Sequence, residues 1–389
     1  MKDNKKRLNI ITCGIFCLFI FGFTIASLVT KPKDYSERER RYLEQMPKFS
    51  KEAILKGEFT SKYETYITDQ FVGRDQWIRI KTIAERMAGK QDINNVYFAK
   101  DGYLIEKVED KDIDQEQWEK NKKWIAQFLA KYEEKLGKEH VRAILAPTAG
   151  YILQEKLPPY APFFDQGIIN QDIRELLEKN VSDKVADELV VDVNQALKDK
   201  SDEYIYYKTD HHWTSLGAYY AYEVWAKSLG LTPKPLNEYK QTVATSDFYG
   251  TVYNKVNTNV SPDKITLFDD GGEYKVNINM GEKELDSLFD YEQLDSVDKY
   301  SIFLGGNNAL VQVTSGNKNG KKLLVVKDSY AHTMVPILAH HFEEVVLVDL
   351  RHLNMEMEAI VDQFGITDVL LLYNDSSVMS DKNLVKLTK

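Results

Sequence analysis

Leu323-Leu324-Val325-Val326-Lys327-Asp328-Ser329-Tyr330 is the stretch that decides the fold. Its four apolar residues read as a strand buried on both faces, and a helical pattern follows from Tyr330 to His341. The unit then repeats. Val345 to Val348 is a second strand, Met355 to Phe364 a second helix and Val369 to Tyr373 a third strand. Continuous apolar strands alternating with helices imply an α/β fold, a parallel sheet flanked by helices on both faces. Upstream, Val141 to Leu145 and Leu189 to Val193 read as further strands. Gln115 to Leu136 reads as a long amphipathic helix with Trp118, Ile125, Phe128 and Leu129 on its apolar side. Residues 240–320 are richer in Thr, Val, Asn and Gly and read as a β-rich insertion. Val96-Tyr97-Phe98 and Tyr103-Leu104-Ile105 read as a hairpin turning at Asp101-Gly102. Between residues 52 and 90 a helical pattern brings Phe71, Trp77, Ile80 and Ile83 to one side.

In parallel α/β sheets ligands gather where strands end, and Ser329 stands at such an end. The helix after it aims free N–H groups and a positive dipole end at that spot, which suits an oxyanion. A serine hydroxyl becomes a useful nucleophile once an imidazole accepts its proton. Thr209-Asp210-His211-His212-Trp213-Thr214 supplies one: His212 as base and Asp210 to orient its ring. The three parts of an acyl-transfer machine thus occur in the chain order Asp, His, Ser. Structural roles compete for each. Ser329 and Asp328 suit a helix N-cap, and Thr214 or Ser215 can cap a helix that runs to Lys227 and closes at Gly230. His211 and His212 point different ways with no second carboxylate-histidine cluster nearby, so no metal is expected. His332, His340 and His341 read as surface or packing residues, with His332 close enough to the serine to matter.

Leu8 to Thr30 is an uncharged run of 23 residues. As a helix it would cover roughly 34 Å, enough to cross a bilayer core. Lys2, Lys5, Lys6 and Arg7 precede it, which leaves the N-terminus cytoplasmic and the rest outside. Ala26-Ser27-Leu28 is a poor small-x-small site, so an uncleaved signal anchor is expected in place of a cleaved peptide. The expected organisation is a cytoplasmic tip and anchor over 1–31, a linker and helical segment over 32–90, and a catalytic domain over 91–380. The two cysteines, Cys13 and Cys17, both lie in the anchor, which leaves the external part without disulfides or a cysteine nucleophile. A net charge of −9 and the lack of a Lys/Arg stripe argue against a nucleic-acid partner.

The Asp210-His211-His212-Trp213 signature resembles the DHHW family, which is similar to the SGNH-like acetyltransferases of alginate and cell-wall polysaccharides. Further blocks fit in order: Glu39-Arg40-Arg41-Tyr42-Leu43, Phe71-Val72-Gly73-Arg74-Asp75, Phe248-Tyr249-Gly250, Phe303-Leu304-Gly305-Gly306-Asn307, Lys327-Asp328-Ser329-Tyr330-Ala331 and Val348-Asp349-Leu350-Arg351. Lys327 stands where the SGNH pattern has glycine. The resemblance implies an SGNH-hydrolase-like fold with Ser329 as nucleophile, His212 as general base and Asp210 as its orienting acid. Gly306, Asn307 and Asn374 are the candidate oxyanion-hole donors. It further implies an extracytoplasmic O-acetyltransferase acting on a polysaccharide acceptor. A multi-pass membrane O-acyltransferase would deliver the acetyl group. No Gly-rich nucleotide loop is present, and no cofactor is expected. A polysaccharide acetyl esterase and a non-catalytic glycan-binding subunit are the alternatives.

Overall fold

Short loops and long apolar strands set the architecture seen in a computed structural model, which describes residues 2–36 and 41–389. The chain divides into two units, Met1–Lys90 with Asn254–Asn259, and Gln91–Tyr253 with Val260–Lys389.

In the first unit, helix α1 (Lys2–Val29) leads to a two-stranded antiparallel ribbon of β1 (Tyr35–Ser36) and β2 (Arg41–Tyr42). Helices α2 (Lys51–Leu55), α3 (Glu58–Asp69) and α4 (Arg74–Met87) follow. Asn4–Val29 is long and apolar enough to cross a membrane, with mean hydropathy 2.3. Glu39 and Arg40 lie outside the described residues. Their neighbour Arg41 forms a two-pronged bridge to Asp69, at 2.8 and 2.5 Å, which ties the ribbon to the end of α3.

The second unit opens with β3 (Asp92–Ile93), β4 (Val96–Phe98) and β5 (Leu104–Glu106), a small antiparallel sheet. Its hairpin turns through Asp101 and Gly102, both at positive φ (58° and 79°), the conformation an Asp-Gly pair accepts. Then come α5 (Gln115–Leu136), β6 (Val141–Ala146), α6 (Ala149–Ile152), α7 (Gly167–Leu177), α8 (Asp183–Leu189), α9 (Asn194–Lys198) and α10 (Ser215–Ser228). After them lie β7 (Lys240–Phe248), α11 (Thr251–Val256), β8 (Asp263–Asp269), β9 (Tyr274–Ile278), β10 (Lys283–Leu285) and β11 (Leu310–Ser315). The chain closes with β12 (Lys322–Lys327), α12 (Ala331–Leu338), β13 (Glu344–Val348), α13 (Met357–Phe364), β14 (Asp368–Asn374) and α14 (Asp375–Ser380).

The central sheet has seven strands in the order β10-β9-β11-β13-β12-β14-β6. It is mixed, not parallel throughout: β13, β12, β14 and β6 run parallel, whereas β11, β9 and β10 are joined antiparallel. The loop from β11 to β12 is too short for the crossover a parallel connection requires, so β11 must enter reversed. The β-rich stretch 240–320 is thus shared between the β7–β8 ribbon and this antiparallel edge. Leu189–Val193 is not a strand. Helix α8 runs to Leu189 and only Val190 bridges Ala143, because Asp192 accepts from the Asn194 amide and turns the chain into α9.

Alternate residues of each parallel strand enter opposite cores. Leu323 and Val325 pack with Tyr222 and Trp225 of α10 and Met334 of α12. Leu324 and Val326 pack with Ile125 and Phe128 of α5 and Ile360 of α13. From β12 the chain goes to one neighbour, β13, and then crosses to the other, β14. That reversal opens a crevice at the end of β12, where Ser329 emerges.

Candidate active site

Three parallel strands deliver their C-terminal ends to one place. Asp328, just past β12, donates its N–H to Leu372 O in β14, and its carboxylate accepts from the Asn374 and Tyr330 amides at 2.8 and 2.9 Å. Asn374 in turn donates from Nδ2 to Ala146 O at the end of β6 (3.1 Å). This lattice fixes the turn that presents Ser329, itself half-buried between the buried Asp328 and Tyr330. Burial pushes the Asp328 carboxyl up from the usual range, while the two amides pull against it.

His212, the candidate base, arrives from a different part of the chain. Tyr206 bridges Trp213, the Tyr207 amide donates to His212 O, and Thr214 N donates to Ile205 O, so residues 205–214 fold back as a tight loop. Asp263 of β8 clamps that loop, accepting from Lys208 N (2.9 Å), Thr209 N (2.7 Å), Thr209 Oγ1 (2.5 Å) and the Tyr204 hydroxyl. The Thr214 hydroxyl caps α10 by accepting from Gly217 N at 3.3 Å.

Across these elements the triad assembles. His212 Nε2 lies 2.7 Å from Ser329 Oγ, and His212 Nδ1 lies 2.5 Å from Asp210 Oδ1. Asp210, an acceptor when ionised, fixes the proton on Nδ1 and leaves Nε2 free to take one from the serine. Asp210 also accepts from the Thr251 amide (2.8 Å) and hydroxyl (3.2 Å). Gly250 is required beside it, since a Cβ there would stand 2.1 Å from the Asp210 Cβ and 2.2 Å from Oδ2. Asp210 and His212 are buried, and His212 stacks on Tyr300 at 3.9 Å with a 13° interplanar angle. The Tyr300 hydroxyl donates to Ser329 O (3.1 Å), so one side chain braces His212 and Ser329 together.

Each letter of the signature has its own task. His211 Nδ1 lies 2.6 Å from the Thr251 hydroxyl, and its carbonyl accepts from the Tyr330 hydroxyl. Trp213 Nε1 donates to Tyr330 O (3.0 Å), sewing the base loop to the serine turn. Asp210, His211 and His212 bring three ligand-type atoms within 4.8 Å of one another. Both His212 nitrogens already serve the triad, so an ion there would compete with it.

Of the candidate oxyanion donors, Asn374 stands against the serine turn, with one Nδ2 hydrogen beyond its bond to Ala146. It lines a cavity of about 20 Å³ together with Asp210, His211 and Tyr330, room for one water-sized molecule. Gly306 turns the chain at φ 83°, and exposed Asn307 accepts from Arg351 (3.2 Å). Arg351 leads to a buried charge cluster. It donates to Asp349 at 2.6 and 2.8 Å, Asp349 lies 3.3 Å from Lys327, and Lys327 Nζ is 2.8 Å from His332 Nε2. Burial lowers the Lys327 pKa, and it pushes His332 well below the usual imidazole value, helped by Lys327. Burial acts to raise Asp349, but Arg351 and Lys327 bring it down to about 2. Tyr300, Asp263 and Thr251 escaped sequence reasoning, because nothing in the spacing of 240–320 ties it to the triad. Phe248-Tyr249-Gly250 was the available signal.

The sequence matches the family described as DHHW protein over residues 39–136 and 179–348. No curated protein matches it. The structure is similar to that of a DHHW family protein from Eubacterium siraeum DSM 15702, with 27% identity and a TM-score of 0.62, covering 76% of this chain and 96% of that one. It is also similar to Bacillus cereus PatB1 with a sulfonyl adduct (18% identity, TM-score 0.59, 74% and 98% covered). The O-acetyltransferase domain of Pseudomonas putida AlgJ matches at 12% identity and a TM-score of 0.44 (75% and 98% covered).

Proposed function

The chain belongs to the DHHW family, and from that membership and its Asp210-His212-Ser329 contacts we propose that it is an O-acetyltransferase working through a serine ester. The observation that carries the reading is the pair of contacts at His212, 2.7 Å to the nucleophile and 2.5 Å to the acid. Ser329 Oγ attacks the acetyl carbonyl of the donor ester as His212 Nε2 takes its proton. Asn374 Nδ2 is the donor we assign to the tetrahedral oxyanion, with the positive dipole end of α12 beside it. Collapse expels the donor's alcohol, which leaves with the proton from His212, and acetyl-Ser329 remains. His212 then deprotonates an acceptor hydroxyl, which attacks the ester. The second collapse forms the acetylated acceptor and returns the proton to Ser329 Oγ. Asp210 stabilises the imidazolium in both halves.

Family resemblance supports a cell-wall or exported polysaccharide as acceptor and a multi-pass membrane O-acyltransferase as the source of acetyl. The apolar N-terminal helix after Lys5, Lys6 and Arg7 supports a single-pass anchor with the triad outside the cell. The test is intact-mass analysis of the detergent-solubilised chain after brief exposure to an activated acetyl ester, with Ser329→Ala beside it. One added acetyl group on the wild type and none on the variant is expected. Equal ester turnover in both proteins would remove Ser329 from the chemistry. Turnover that consumes only water when glycans are supplied would make the protein an esterase.

A further inference from the structure

Helix α4 carries an apolar stripe that the first unit does not bury. Thr82 marks its packed side: it is buried and its hydroxyl donates to Val256 O at 2.7 Å. On the far side Trp77, Ile80, Ile83 and Met87 recur at helical spacing. The sequence brings Trp77, Ile80 and Ile83 to one side of a helix, and in the structure Ile80 is 53%, Ile83 46% and Met87 85% exposed.

The surroundings of Trp77 say what medium this face meets. Its ring lies 5.8 Å from Phe19 and 5.5 Å from Phe23 of α1, and Phe71 stacks on Phe23 at 5.9 Å. At 1.5 Å per residue, Phe23 stands about 9 Å and Phe19 about 15 Å inside the Val29 end of that helix. Trp77 therefore shares the depth of α1's last turns, and the exposed stripe of α4 continues the exposed apolar surface of α1. Cations complete the pattern. Arg79 and Arg86 lie off the stripe, and Lys31, Lys33 and Arg74 line an open cavity of about 690 Å³ just beyond the end of α1. A Trp-bearing apolar face edged by Lys and Arg is the composition of a helix that lies in a membrane interface.

We infer that α4 is an interfacial helix whose Trp77, Ile80, Ile83 and Met87 face beds in the outer leaflet beside α1, with lipid phosphates facing Lys31, Lys33 and Arg74. The inference rests on reading α1 as membrane-spanning, and its test separates the two. Single spin labels are placed in the full chain in phosphatidylglycerol-containing nanodiscs. They sit at native Cys13 (with Cys17→Ser) and, with both native cysteines replaced by Ser, at Ile80→Cys, Met87→Cys and Glu85→Cys. Accessibility to oxygen and to a water-soluble nickel chelate is then compared. The expected result is an oxygen-rich, nickel-poor environment at positions 13, 80 and 87, and nickel access at 85. Nickel access at 80 and 87 with a lipid-facing Cys13 would overturn the interfacial helix while leaving the span intact. Labels at 80 and 87 shielded from both reagents would put protein, such as a second copy, on that face and also overturn it. Nickel access at Cys13 would remove the span and the inference with it.

Discussion

Asp210 is held by more than its partner histidine. Gly250 gives it room and Thr251 gives it two donors, so a single methyl group should disturb it. Gly250→Ala is expected to slow formation of the acyl-enzyme by at least about 100-fold, since a displacement near 1 Å at a catalytic group has that effect. Rapid-quench acylation would measure this, with the circular dichroism spectrum unchanged. Tyr300 separates two roles that one ring performs. Tyr300→Phe keeps the stack on His212 and loses the bond to Ser329 O, at an expected cost of about 1 kcal/mol. Tyr300→Ala empties a buried site and should cost about 3–5 kcal/mol in denaturant unfolding.

Elements carry the next set of consequences. The Thr214 hydroxyl caps α10 and also donates to Tyr204 O, so it secures both the helix and the loop that holds His212. Thr214→Ala should lose about 1 kcal/mol of stability. The end of β12 depends on the cluster of Lys327, Asp349 and Arg351, in which the carboxylate is the shared member. Asp349→Ala leaves the buried Lys327 without its counter-charge and is expected to cost about 3–5 kcal/mol, whereas Lys327→Met leaves Asp349 paired with Arg351 and should cost less. Urea midpoints of the two variants test the order, and the reverse order would deny Asp349 its central place.

At the scale of the whole molecule, buried histidines contribute a loss of stability in acid, which the raised carboxyls of Asp328 and Asp375 oppose. Burial, with His340 and Lys321 nearby, lowers His341 to about 4, and burial holds His332 well below its usual value. Below pH about 6.5 the unfolded chain binds protons that these folded histidines refuse, so stability falls as pH drops. Each histidine contributes up to about 1.4 kcal/mol per pH unit, and for His341 the loss levels off near pH 4. The contribution of Asp349 is lost lower, as pH falls from the ordinary carboxylate value towards about 2. The share of stability that these histidines carry should be full above pH about 7 and decline below pH about 6.5, read as the melting-temperature difference between the wild type and a histidine variant. His341→Asn should shallow that decline, and an unchanged slope in the variant would exclude His341 as a source.

The sequence alone determined the strand–turn–helix unit around Ser329, the membrane-length apolar helix and the residue types of the triad. Burial periodicity, apolar length and functional-group chemistry are local properties, written in consecutive residues. The grouping of Asp210, His212 and Ser329 was legible as a pattern, but their distances were not, because 117 residues separate His212 from Ser329. Only the tertiary structure decided that β11, β9 and β10 join antiparallel, that Tyr300 braces the imidazole, and that Asp263 clamps its loop. It also left Ile80 and Ile83 exposed on the shared helix side that their spacing gave them. Such outcomes depend on which surfaces meet after folding, and apolar spacing specifies a face without specifying what covers it.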